Sequence, residues 1–281
     1  MNSRVAIVTD STASVPVDTA GQLDICTIQL ELAVGEQRND ERRIPHQQLA
    51  QAMRDATPVE TSPPPPPAFF WNYMDAASAG AEAIVSVHLS EALSQTCESA
   101  RTASNDLNIP VYVVDSRLCG LGLGYPVIAA AEAAASGATL QGVLGVLDRR
   151  LRGTTQLIYV DTLEYLRRGG RIGRAQAALG QALSVRPVLI LEDGAIDQHA
   201  KAIGSERALK KAVATAVSRA GGGPVDVGVE HFQAGERAEQ LLEQLRRELP
   251  QTRRAVVEET SAIIGAHTGP GALGITISPV E

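Results

Sequence analysis

The chain has 281 residues, 44% hydrophobic and 20% charged, with a formal net charge of −7 and a pI near 5.3. An acidic chain with 3% aromatics lacks both the positive field that attracts phosphate backbones and the rings on which bases or sugars stack, which excludes nucleic acid as a general partner. The length provides for one large or two medium domains with ample core. No apolar run reaches the roughly 18 residues of a membrane span and no signal peptide opens the chain, so the expected compartment is the cytoplasm.

Residues 5–8 read as a short buried strand ending in Thr9-Asp10-Ser11-Thr12. The carboxyl end of a first strand is where open α/β sheets place ligands, although Asp10 and Ser11 serve equally well as a turn and a helix cap. Residues 25–34 read as one strand closed by Gly35, and 45–56 as a helix introduced by Ile44 and Pro45. The five prolines at 63–67 impose an extended segment without amide donors. That segment presents Thr61 and Ser62 and launches a helix carrying Phe69, Phe70 and Tyr73 into the core. A polyproline ligand for another domain is the other use of such a run.

Residues 83–88 are apolar and β-branched, a buried strand, and from Leu93 the period becomes helical, with Leu93, Cys97 and Ala100 on one face. Ser90, Ser94 and Thr96 lie at the hand-over. The first amides of a helix lack intrahelical partners and carry partial positive charge. The turn is therefore either an anion site or a plain N-cap in which Ser90 or Ser94 satisfies its own helix. Another strand follows at 111–115, and then Gly120-Leu-Gly-Leu-Gly124 before a helix over 126–135. Its G-x-G-x-G spacing, with no acidic strand end about 20 residues on, is wrong for a dinucleotide site and suits a close approach of the helix to a neighbour. With a further helix over 139–150, the recurring strand–helix order indicates a parallel α/β domain. Cys26, Cys97 and Cys119 form neither a metal motif nor a disulfide framework. His46, His199 and His231 show no metal spacing with His88, which reads as a core histidine.

A second domain begins near Thr154, dividing the chain at 1–153 and 154–281. Strands are expected at 156–160, 188–191, 196–200, 225–230 and 255–258, and helices at 161–168, 175–183, 205–218 and 236–248. Asp193-Gly194 is a two-residue hairpin signal that makes this sheet mixed, Ser205 a cap, and Gly221-Gly-Gly-Pro224 a helix stop. Between 167 and 174 stand Arg167, Arg168, Arg171 and Arg174 with no acid. The run is either a solvated face or a patch docking an acidic partner surface or phosphate. Near the end, Gly265, Gly269, Gly271 and Gly274 surround His267 and Thr268, as in a loop that bends tightly and turns its amides to a ligand. A tight crossover with a surface histidine is the alternative. No G-x-S-x-G elbow is present. An esterase or small-molecule transferase would have to use Ser94 with His267.

Taken together, Val8-Thr-Asp-Ser-Thr12, Thr61-Ser-Pro63, Leu93-Ser-Gln-Thr96, Val114-Asp-Ser116, Asp161-Thr-Leu-Glu-Tyr-Leu-Arg-Arg-Gly-Gly-Arg-Ile-Gly173 and Gly265-Ala-His-Thr-Gly-Pro-Gly271 resemble the motifs of the DegV family of bacterial fatty-acid-binding proteins. The match runs in order across essentially the whole chain. The resemblance implies an α/β fold of two domains, an N-terminal one with a parallel sheet and a C-terminal one with a mixed sheet, with a long-chain fatty acid between them. It implies a lipid-binding carrier without catalytic activity or cofactor of its own, and without stable membrane insertion. Its partner would be a fatty acid kinase, which makes an acyl phosphate for phospholipid synthesis. By the matched motifs, Thr61 and Ser94, with Ser62, Thr96 and Thr268 beside them, would receive the carboxylate. His267 would close the hydrogen-bond network, and Arg167, Arg168, Arg171 and Arg174 would face the kinase. The chain departs from the pattern at Gln95, where the family has Gly, and at Glu91-Ala92, where it has Ser-Gly. Both departures are expected to crowd the site.

Overall fold

The computed structural model describes residues 4–178 and 185–280. In chain order the elements are β1 (Val5–Asp10), α1 (Val17–Gln22), β2 (Ile25–Ile28), β3 (Glu31–Val34), β4 (Gln37–Asp40), α2 (His46–Arg54), β5 (Val59–Ser62) and α3 (Pro66–Ser78). There follow β6 (Ala83–His88), α4 (Thr96–Ser104), β7 (Val111–Asp115), α5 (Gly120–Ala135) and α6 (Leu140–Gly153). The remainder comprises β8 (Thr155–Tyr159), α7 (Glu164–Arg168), β9 (Val185–Glu192), β10 (Ala195–Ile203), α8 (Ser205–Ala220), β11 (Val225–His231), α9 (Gly235–Glu248), β12 (Thr252–Glu259), α10 (Ala262–Thr268) and β13 (Leu273–Pro279). They form two compact units, Met1–Glu31 with Ser62–Arg152 and Leu32–Thr61 with Gly153–Glu281. A single cut near 153 therefore misplaces residues 32–61, which pack with the later part of the chain.

The first unit holds a four-stranded parallel sheet in the order β2-β1-β6-β7. All six residues of β6 are buried, as befits an inner strand of a parallel sheet. Val8, Ile28, Phe69, Tyr73, Ile84 and Ala100 form the core between the sheet and α3 and α4. Only Pro63 to Pro65 precede the helix. Pro66 and Pro67 already lie in the first turn of α3, where a fixed φ is helical and no amide donor is needed. The glycines before 126 likewise belong to α5, which begins at Gly120. A Cβ on Gly124 would stand 2.2 Å from the Ala13 carbonyl oxygen, so the expected close approach is real and is made to the turn after β1.

The second unit is built on a six-stranded sheet in the order β10-β9-β8-β13-β11-β12, antiparallel except for the β11–β12 pair. Leu157, Tyr159, Val188, Val227 and Ile275 line one face, against which α8 and α9 bury Ala212, Ala216, Leu241 and Leu245. At the expected hairpin Asp193 and Gly194 both have positive φ, 50° and 81°, as a type I′ turn requires. Gly221 ends α8 in the left-handed conformation. A smaller sheet, β4-β3-β5, belongs with this unit, and α10 packs against α2 and α7.

Three further expectations fail. The single strand at 25–34 is two strands in different sheets, because the chain changes units there. The glycine-rich stretch after 263 is not one loop: it contains α10, a turn at 269–271, and the start of β13, which occupies the middle of the large sheet. Where a helix over 175–183 was expected, a 3₁₀ segment runs Gly173–Ala178, and 179–183 lie outside the described residues. No helix among the described residues is long and apolar enough to cross a membrane.

Gly124→Ala should destabilise the protein by about 1–3 kcal/mol, the usual cost of overpacking. Gly21→Ala, in α1 with nothing within 4 Å of the new Cβ, should be neutral or stabilising by as much as ~1 kcal/mol. Urea midpoints at constant m-value would separate the two.

Candidate functional site

In the first unit the carboxyl ends of β1 and β6 are tied by one buried carboxylate. Asp10 Oδ1 accepts from the amide and hydroxyl of Thr12, and Oδ2 accepts from the Leu89 amide and His88 Nδ1, both at 3.0 Å. The chain continues from His88 Nε2 to the Ser86 hydroxyl and from there to the Tyr73 hydroxyl, each link 2.7 Å. Asp10, His88, Ser86 and Tyr73 are all fully buried. The Asp–His–Ser order is that of a hydrolase triad, but Ser86 is enclosed and already bonded to Tyr73, whose phenol burial pushes up. The network is structural: four donors satisfy the carboxylate and hold the base of the turn that follows β6.

That turn is organised by Ser90. Its carbonyl accepts from the Leu93 and Ser94 amides at 2.9 and 3.1 Å, its hydroxyl accepts from the Ala92 amide, and its own amide donates to the Leu118 carbonyl. Ser90 therefore caps the turn and not α4. The N-cap of α4 is Gln95, with no side-chain cap bond, so the plain N-cap reading of Ser90 and Ser94 does not hold. The Ser94 and Thr96 hydroxyls are 2.8 Å apart; Thr96 is buried and Ser94 half-buried. Of the two departures, Glu91 pairs with Arg101. Gln95 is exposed at φ −84° and ψ 16°, a conformation that does not call for glycine.

In the second unit β5 brings Thr61 to α10. The Thr61 hydroxyl and His267 Nε2 lie 2.9 Å apart, joining residues separated by 206 positions. The helix is fixed at its start by Ser261 Oγ, which accepts from the Ile264 amide, and by Glu41, which accepts from the Ile263 amide. Burial, followed by the nearby positive charge of Arg171, lowers the His267 pKa to about 4, so the ring is neutral at ordinary pH. Its Nδ1 is buried without a hydrogen-bond partner. A buried N–H without a partner is rarer and costlier than a bare acceptor, which assigns the proton to Nε2 and makes His267 the donor to Thr61. The Thr61 hydroxyl hydrogen is then available to an outside acceptor. Ser62 adjoins it on β5, half-buried. Thr268 is a different matter, since its hydroxyl donates back to the Ile264 carbonyl at 2.9 Å within α10.

The two longest motifs pack on each other in this unit. A Cβ on Gly269 would meet the Tyr165 ring at 2.1 Å, and one on Gly271 would meet Asp161 Oδ2 at 2.2 Å. Asp161 also accepts from the Tyr159 hydroxyl at 2.7 Å, and Arg237 stands over the Tyr159 ring. The arginines are less isolated than their sequence suggests. Glu164, one turn earlier, accepts from both Arg167 and Arg168 and is held down to about 2 by them. Arg171 donates to the Gly169 carbonyl at 2.7 Å, and Arg174 lies 3.6 Å from Asp197. Arg167, Arg168 and Arg174 remain exposed. His267 Nε2 meets the Thr61 hydroxyl within the second unit, and the Ser94 hydroxyl meets that of Thr96 within the first.

A cavity of about 430 Å³ opens in the first unit at the amino ends of the strands. It mixes Val5, Ile7 and Ala131 with Arg4, Asp24 and Asp75. The Asp10–His88 link and the role of Ser90 were not found in the sequence. Finding them requires knowing that β1 and β6 are neighbours.

The DegV family model matches residues 4–280. A DegV domain-containing protein of Streptomyces coelicolor is 43% identical over 279 residues, 99% of either chain. A fatty-acid-binding DegV family protein of Thermus thermophilus has a similar solved structure, with a TM-score of 0.91 at 32% identity over 99% of this chain and 100% of that one. DegV of Bacillus subtilis, a fatty acid binding protein, gives a TM-score of 0.90 at 29% identity over 99% of this chain and 100% of its own.

Because the folded pKa of His267 is about 4 against 6.5 for a free imidazole, the unfolded chain takes up the extra proton between these values. Stability is then full above pH 6.5 and falls as pH drops to 4, by as much as ~3 kcal/mol. Urea melts of the wild type and His267→Asn across that range should show a steeper pH slope for the wild type.

Proposed function

The chain belongs to the DegV family, and from that premise we propose that it binds a long-chain fatty acid and presents the carboxylate to a fatty acid kinase. The acyl phosphate so formed would enter phospholipid synthesis. The observation that carries the reading is the Thr61–His267 hydrogen bond. A neutral histidine donates to a hydroxyl, and the hydroxyl donates onward to the carboxylate. Such donors orient an anion without a fixed countercharge that would slow its release. Each charge-assisted bond contributes roughly 1.5–3 kcal/mol. The tail contributes more: at about 0.8 kcal/mol per CH₂, some fourteen methylenes give roughly 11 kcal/mol before ordering costs. Affinity therefore resides in the chain and orientation in the head group.

Ser94, with Thr96 behind it, is assigned as a second hydroxyl donor, and Ser62 as a neighbour of the first. Arg167, Arg168, Arg171 and Arg174 are assigned to docking an acidic face of the kinase, with Glu164 accepting hydrogen bonds from two of them. The protein is a cytoplasmic carrier in this reading, and the phosphoryl transfer belongs to the partner. Its support is the family membership and the fatty-acid-binding relatives.

Native mass spectrometry of protein purified from bacterial cells should find an adduct of fatty-acid mass; neither adduct nor uptake of added oleate would end the proposal. Thr61→Val should weaken oleate binding about 10- to 100-fold, the equivalent of one such bond. Ser94→Ala should weaken it less yet abolish phosphorylation by the kinase. Unchanged phosphorylation would remove Ser94 from the head-group site.

A further inference from the structure

Three glycines of the segment 169–173 are present for different reasons. Gly170 has φ +69° and nothing within 4 Å of where a Cβ would stand, so its backbone conformation is what asks for glycine. Gly173 has both a positive φ, +55°, and a crowded Cβ position, 2.4 Å from the Ile196 carbonyl oxygen. Gly169 is unlike either. It closes α7 at φ −74° and ψ −5°, right-handed helical values open to any residue. What forbids a side chain there is His267: a Cβ would lie 2.1 Å from Nδ1 and 2.8 Å from Cε1 of its ring.

The helix that carries this ring has little freedom to retreat. A Cβ on Gly265 of α10 would meet the Phe232 ring at 2.7 Å, and Gly269, just after it, lies as close to Tyr165. Glu41 and Ser261 hold the first amides of α10. On the other side, the Gly169 amide donates to the Tyr165 carbonyl and its carbonyl accepts from Arg171. Both backbones are fixed, so the ring is the part that would yield to an added methyl group. Its Nε2 would then leave the Thr61 hydroxyl.

We propose that Gly169 is a positioning residue of the head-group site, its bare Cα forming the wall that keeps the His267 imidazole on Thr61. Backbone propensity does not account for this glycine, since alanine would be favoured at its φ and ψ. The inference deepens the fatty-acid reading and rests on it for its binding arm only.

The test uses the full-length protein and compares wild type, Gly169→Ala, Gly170→Ala, His267→Ala and the double variant Gly169→Ala/His267→Ala. Long-range ¹H–¹⁵N spectra of the imidazoles, with the His267 signal assigned from the His267→Ala spectrum, should show an Nε2–H tautomer in the wild type. Gly169→Ala should remain folded, move that signal and weaken oleate binding at least 10-fold. Gly170→Ala should lower the melting temperature and leave the signal in place. With His267 replaced by alanine, adding Gly169→Ala should cost no further stability. An unmoved His267 signal in Gly169→Ala, or the same loss of stability with and without the imidazole, would overturn the proposal. Should the protein take up no oleate while Gly169→Ala still moves the signal, the carrier reading fails and the positioning role stands.

Discussion

A neutral imidazole held between a threonine hydroxyl and a glycine is the constraint around which the second unit is arranged. The ring of His267 donates through Nε2, keeps a bare Nδ1 against Gly169, and sits on a short helix in which Gly265, and Gly269 just after it, are pressed against Phe232 and Tyr165. Each contact limits another. The glycines bring α10 close, the closeness strips water from the ring, and the loss of water lowers its pKa. A histidine so placed serves as a fixed hydrogen-bond donor rather than as a cation.

The first unit handles a buried polar group the opposite way. Asp10 has no exposed surface, and it is surrounded by four donors from two strand ends. Replacing any one donor would leave part of a buried carboxylate unsatisfied, which is why such networks specify a single geometry. The result is a rigid base beneath the turn of Ser90, Ser94 and Thr96. One unit thus uses a saturated carboxylate to place hydroxyls, and the other uses a crowded imidazole to orient one.

Glycine sets close approaches in both units, and only part of that was legible. The stop at Gly221 and the Asp193-Gly194 turn depend on a few neighbouring dihedrals, so they can be read along the chain. The close approach of Gly124 was expected in kind, but its partner, the carbonyl of Ala13, was not. The cluster from Gly265 to Gly274 reads as a loop because glycine is poor in helices. In the folded chain it supplies a helix and a strand, since close packing against two aromatic rings demands glycine more strongly than helix propensity opposes it.

The sequence by itself determined the fold class, the parallel character of the first sheet, the antiparallel hairpin of the second, and the family to which the chain belongs. These follow from hydrophobic period, turn chemistry and ordered motifs, all of which are local along the chain. Tertiary structure decided that residues 32–61 pack with the second unit, that Asp10 meets His88, and that Thr61 meets His267 from 206 positions away. It also decided that Gly169 faces an imidazole instead of solvent. Those pairings depend on which strands and helices become neighbours, and adjacency is set by burial of the whole apolar surface, which no short stretch of residues records.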